Sequence, residues 1–160
     1  MSRAFVKETD GDVPEDLPDL PISPLPNYVT AHGLAKLQQR LADAERGLAE
    51  LAAEGPGVRQ SRALIERERR WLQARLGSAR LVPPSADHGR IAFGAEVTVA
   101  TADAKHRYRI VGEDEAEPDA GKISWASPLA RALIGASVGD VVTWERPAGA
   151  VDIEILDISY

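Results

Sequence analysis

Apolar residues between Leu34 and Leu51 recur at alternating steps of three and four: Leu34, Leu37, Leu41, Ala44, Leu48 and Leu51. A period of about 3.5 residues is a coiled-coil seam, one helix face that needs a partner helix to leave water. Thr30 stands ahead of the seam, its hydroxyl able to accept from the free amides of a first turn. Glu54-Gly55-Pro56-Gly57 ends the pattern, because proline lacks an amide donor and glycine tolerates a tight reversal. A second helical pattern runs from Gln60 to Leu81, with Ile65, Arg69, Leu72, Leu76 and Ala79 on its seam. Arg69 interrupts that seam and must carry its guanidinium outward along the side. The chain thus supplies its own partner helix, and the spacing predicts an antiparallel helical hairpin over 30–82. At about 1.5 Å per residue each arm is roughly 30–36 Å long.

From Ile91 the apolar period changes to two. Ala95, Val97 and Val99 alternate with polar neighbours, as do Tyr108 and Ile110, Val142 and Trp144, and Val151, Ile153 and Ile155. Leu156, Ile158 and Tyr160 then alternate in the opposite phase, a slip that predicts a β-bulge or twist at Ile155-Leu156. Ser127-Pro128 fits a helix N-cap followed by proline in the first turn, and Gly135 fits the stop. Pro83-Pro84-Ser85 opens a linker, 83–90, so 91–160 reads as a small, largely antiparallel sheet domain with one short helix. The whole is α+β. Ahead of the hairpin, Pro14, Pro18, Pro21, Pro24 and Pro26 make 1–29 an extended arm, expected to stay mostly unpaired and outside any core.

The 160 residues include no cysteine, which removes thiol nucleophiles, thiolate zinc sites and disulfides together. His32, His88 and His106 have no ligand-like spacing, and no metal or cofactor is assigned. No apolar run approaches the roughly 18 residues that span a bilayer, and no signal sequence opens the chain. These features predict a soluble, cytoplasmic protein without membrane contact. The net charge of −6 hides an uneven distribution: between Arg59 and Arg80 seven arginines face only Glu66 and Glu68. Arg59, Arg62, Arg67 and Arg70 therefore form a basic stripe, either toward nucleic acid or an acidic partner, or as a solvated helix face.

Phosphate-binding, serine-hydrolase and zinc-protease motifs are absent, so the chain is not expected to be an enzyme. Glu113, Asp114, Glu115, Glu117 and Asp119 put five carboxylates into seven residues, but without the glycine and closing glutamate of a calcium loop. They read as a solvated acidic loop between strands.

The string Arg109-Ile110-Val111-Gly112-Glu113-Asp114-Glu115, followed by Gly121-Lys122-Ile123-Ser124-Trp125-Ala126-Ser127-Pro128-Leu129-Ala130-Arg131-Ala132-Leu133-Ile134-Gly135, resembles the C-terminal domain of the Gre-type bacterial transcription elongation factors, the GreA/GreB family. Val138-Gly139-Asp140 and Pro147-Ala148-Gly149 continue the match, which covers Arg70 to Tyr160. The resemblance implies an FKBP-like C-terminal domain, without prolyl isomerase activity, that grips the rim of the secondary channel of RNA polymerase. It implies a hairpin that enters the channel, where an acidic tip helps hold a magnesium ion while the polymerase hydrolyses backtracked RNA. Ser127, Pro128 and Arg131 become the candidate polymerase contacts. Nascent RNA or DNA within the complex is a further candidate for the basic stripe.

Two departures bear on function. The family tip carries an Asp and a Glu three residues apart, whereas Glu54-Gly55-Pro56-Gly57-Val58-Arg59-Gln60-Ser61 offers Glu54 alone, and the next acid is Glu66. The arms are also about two helical turns short of the family norm, a deficit of roughly 10 Å. Second, Ala126 stands where the family commonly has Asp before Ser-Pro. The expectation is a polymerase-binding elongation factor that does not efficiently stimulate transcript cleavage. A channel-competing anti-Gre regulator is the alternative, together with a protein like the nucleoside diphosphate kinase regulators, which pair a short hairpin with the same domain.

Overall fold

Residues 17–51 and 53–160 are described by the computed structural model; the start of the proline-rich arm, 1–16, lies outside the described residues. Thr30 caps α1 (Ala31–Glu50): its Oγ1 accepts from Gly33 N at 3.0 Å. The chain reverses through Gly55 and Gly57, both at positive φ, and α2 (Val58–Ser78) begins without a side-chain cap. Leu37, Ala44 and Leu72 are buried between the helices, with Leu34, Leu41, Ile65 and Leu76 half-buried around them. Complete burial of Leu72 contributes about 1.5–3 kcal/mol. Arg69 is half-buried as the seam required, but its Nε is itself out of water and has no partner among the described residues.

α2 stops at Ser78, three residues before the expected Leu81, because the arm takes over its exit. β1 (Tyr28–Val29) pairs in parallel with β2 (Arg80–Leu81). Arg80 N donates to Asn27 O at 2.8 Å and Val82 N to Val29 O at 3.0 Å. The expectation that 1–29 stays unpaired and outside a core is corrected here: Asn27 and Val29 are buried, and Val29 belongs to the hairpin core. A proline-free Asn-Tyr-Val at the end of the arm has the donors that the preceding prolines lack.

The second half is a five-stranded sheet in the order β5-β4-β3-β7-β6, built from β3 (Glu96–Ala100), β4 (Lys105–Val111), β5 (Lys122–Ser124), β6 (Val141–Trp144) and β7 (Val151–Ser159). Every pairing is antiparallel except β4 with β5. α3 (Pro128–Leu133) lays Leu129, Ala130 and Leu133 on the inner face, against Val97, Val99, Ile110, Ile153 and Ile155. The outer face carries Glu96 between Arg107 and Arg109, so the period of two separates a dry face from a charged one. The expected phase slip is present: Thr98 pairs with Asp157 and Val99 with Ile155, leaving Leu156 as the extra residue of a bulge.

Candidate functional site

Ser127 Oγ accepts from Ala130 N at 3.2 Å, and Pro128 occupies the first turn of α3, where its missing amide leaves no donor unsatisfied. The six-residue helix covers only part of the inner sheet face. Beside it a groove of about 600 Å³ remains, lined by Tyr108, Ile123, Ser127, Pro128, Leu129 and Trp144 and closed at one side by the Glu145–Ala148 turn. Arg146 lies over the Trp144 ring, 5.3 Å from its centroid, and His106 stacks on Tyr108 at 5.9 Å. Burial in this wall raises the Tyr108 phenol above its ordinary pKa of 10.0. Pro128 and Arg131 are exposed; Pro128 lines the groove, whereas Arg131 lies further along α3 and is not part of its lining. Of the domain's other aromatics, Trp125 and Phe93 pack instead against Tyr28, with centroids 5.1 Å and 6.2 Å away.

The hairpin tip is the second element. Glu54, Gly55, Pro56 and Gly57 are all exposed, and the carboxylate of Glu54 sits on the reversal rather than on either helix. With α1 and α2 at 20 and 21 residues, each arm is about 30 Å long.

The arginine stripe divides. Arg59 is exposed near the tip, and Arg62 and Arg67 are half-buried, Arg67 Nε lacking a hydrogen-bond partner among the described residues. Arg70 does not contribute a free charge: its Nε donates to Asp19 at 2.7 Å and its Nη2 to Leu17 O at 3.0 Å. Arg75 is buried outright. Toward the base of α2 the charges of Arg70 and Arg75 are met by Asp19 of the arm and Asp114 of the sheet domain, which leaves Arg59 and Arg62 near the tip without an ion pair among the described residues.

One cluster escaped the sequence reading. The turn Glu113–Glu115 was expected to be solvated, yet its three carboxylates reach the arm, α2 and the cap of α1 in turn. Glu113 Oε1 accepts from Ser23 Oγ at 3.1 Å, Asp114 Oδ2 from Arg75 Nε at 2.6 Å, and Glu115 Oε2 from Thr30 Oγ1 at 2.5 Å. The partners are 90, 39 and 85 residues away, beyond any local pattern. The one available hint was Arg75, a charge near the α2 seam that needs a counter-ion if buried. Among the described residues no three His, Asp or Glu side chains gather as a metal site, and no helix is long and apolar enough to cross a membrane.

A probe-like hairpin carried on a sheet domain with an apolar, aromatic-walled groove defines a two-part binding protein. The family model described as "Transcription elongation factor, GreA/GreB, C-term" matches residues 86–160. Transcription elongation factor GreA of Psychrobacter arcticus is 40% identical over 112 residues, spanning 68% of this chain and 71% of that one. GreA of Alkalilimnicola ehrlichii is 35% identical over 130 residues, 78% of this chain and 82% of its own. Among solved structures, GreA factor homolog 1 (Gfh1) of Thermus thermophilus is 24% identical, covering 85% of this chain and all of its own at a TM-score of 0.42. The chain belongs to the GreA/GreB family of transcription elongation factors.

Proposed function

We propose that the protein binds RNA polymerase through its sheet domain, directs the hairpin into the secondary channel, and modulates elongation without efficiently stimulating transcript cleavage. The family supports the partner, and the groove beside Ser127 and Pro128 is a fitting grip for a polymerase surface element. Its apolar walls provide the burial, Tyr108 and Trp144 supply rigid contact area, Arg146 supplies a charge at the edge, and Arg131 supplies another from the exposed side of α3. The chain carries no reaction of its own in this reading. It acts by occupying and shaping the polymerase's channel.

The observation that carries the absence of cleavage stimulation is the tip. Magnesium is held in near-octahedral oxygen coordination and generally takes more than one anionic ligand. Glu54 is the only carboxylate on the reversal, and Arg59 follows on the first turn of α2, repelling a cation. The same observation favours the second reading, a channel competitor that excludes cleavage-stimulating factors. Arg59, Arg62 and Arg67 lie on the part of the hairpin that goes deepest, where nascent RNA or DNA offers phosphates. Binding through them weakens as salt rises, because exposed charges are screened over about 8 Å at physiological ionic strength.

The test is capture of core RNA polymerase by the purified chain, in competition with a classical Gre factor. Mutual displacement is expected, as is a loss of about tenfold in affinity for Trp144→Ala combined with Arg131→Glu. Simultaneous binding of both factors overturns the shared channel.

A further inference from the structure

The hairpin and the sheet domain have separate cores that share no residue. Their covalent link, 83–90, is mostly exposed and opens with two prolines. Contacts of this kind leave domains free to swing unless something else ties them. What ties them is the arm. β1 touches both α1 and the Glu113–Glu115 turn. Asn27 is buried at the crossing: its Nδ2 donates to Arg75 O at 2.8 Å, and its Oδ1 accepts from Arg75 Nη2 at 2.8 Å. The remaining side of the same guanidinium is taken by Asp114, so one arginine joins arm, hairpin and sheet domain. One residue on, Tyr28 sets its ring edge-on to Trp125 and presses its carbonyl against Gly112, where any Cβ would collide with it.

We propose that residues 17–29 are a strap that locks the direction of the hairpin relative to the sheet domain, with Asn27, Arg75 and Asp114 as its positioning residues. The partners fit this role in kind as well as in place. A buried guanidinium with directional acceptors on two sides fixes an angle, whereas an apolar contact of the same area slides. The strap also explains the split of the arginine stripe, because Asp19 and Leu17 O continue the attachment along α2 through Arg70. Hairpin and groove are then presented in one fixed relation. Fixing it in advance removes an ordering cost when two sites on one partner are engaged together.

The measurement needs no partner, so its failure is separate from a failure to bind polymerase. Because the chain has no cysteine, Ser61→Cys on α2 and Thr143→Cys on β6 give two unique spin-label sites on exposed positions. Pulsed electron resonance on the full chain is expected to give one narrow distance distribution. Asn27→Leu, which removes both the donor to Arg75 O and the acceptor for its guanidinium, is expected to broaden it about twofold. Gly112→Ala, which displaces Tyr28 and leaves every charged group in place, is the second variant and is expected to broaden it too. Circular dichroism checks that the helices persist in each. A broad distribution in the unaltered chain overturns the proposal, as does a narrow one in either Asn27→Leu or Gly112→Ala with helices intact.

Discussion

A Cβ added to Gly33 would lie 2.5 Å from Glu115 Oε2, the oxygen that accepts from the Thr30 hydroxyl. The first turn of α1 is therefore shaped around a carboxylate delivered from the sheet domain, and only glycine leaves it room.

That relationship reverses the usual effect of helical glycine. Ala is favoured over Gly inside a helix by about 1 kcal/mol. At Gly47, where an added Cβ meets only Ile65 Cδ1 at 3.6 Å, Gly47→Ala is expected to stabilise the chain by about 0.5–1 kcal/mol. Gly33→Ala instead displaces a buried carboxylate from its partner and is expected to destabilise by about 1–3 kcal/mol. Urea denaturation of the two variants reads the opposite signs directly.

Ion pairs in this molecule are expected to fall into two classes. Arg40 and Glu68 bridge the helices at 2.8 Å with side chains 41% and 45% exposed, so Glu68→Ala should change stability by less than about 1 kcal/mol. Arg75 is 2% exposed where it meets Asp114, and Asp114→Ala leaves a buried charge with one acceptor fewer. A loss of about 3–5 kcal/mol is expected. Parallel denaturation curves that give equal losses would contradict the division.

Cleavage of a stalled, backtracked transcript is expected to be no faster with this protein than without it, and Glu54→Ala is expected to change nothing. Installing Asp and Glu at positions 57 and 60 is not expected to create activity, because Arg59 would still stand between the two carboxylates and repel a cation. Strong stimulation by the natural chain, lost in Glu54→Ala, would refute this account of the tip.

Tyr108 provides a spectroscopic handle on the groove. Burial raises its phenol above 10.0, so the folded state holds that proton more tightly than the unfolded chain does. The resulting stability is fully present below the unfolded value and is lost as pH rises through the folded one. Absorbance near the phenolate band is expected to include a component above pH 10.0 that disappears in Tyr108→Phe. If the component lost with that substitution titrates no higher than an ordinary phenol, the groove wall is wetter than its geometry implies.

Features readable from the sequence were those set by near neighbours. Thr30 and Ser127 cap the helices they were expected to cap, because a cap acts within three residues. The bulge at Leu156 was legible because a phase slip is visible within one strand. Long-range relationships were not legible. The three acids at 113–115 look like any solvated turn until α1, α2 and the arm arrive from up to 90 residues away. β5, at three residues, is too short to display a period, and the groove exists only once α3 has failed to cover the sheet. The separate tip, by contrast, depends on no distant partner, and its single acid was evident from the order of residues 54–61.

The bulge makes the last strand sensitive to parity. Up to Ile155 the odd-numbered residues of β7 face the core; past Leu156 the even-numbered ones do, with Ile158 opposite the buried Val97. Tyr160 inherits that switched phase, and its hydroxyl donates to Arg90 O at 2.9 Å and accepts from Ala92 N at 3.0 Å, clasping the start of the domain. Removing Leu156 alone would leave Ile155 opposite Val99 and Asp157 opposite Thr98 in an unbroken ladder, with Ile158 and Tyr160 still facing inward. One unpaired leucine thus decides which parity of the strand's end faces inward, and its loss would restore a single parity along the whole of β7.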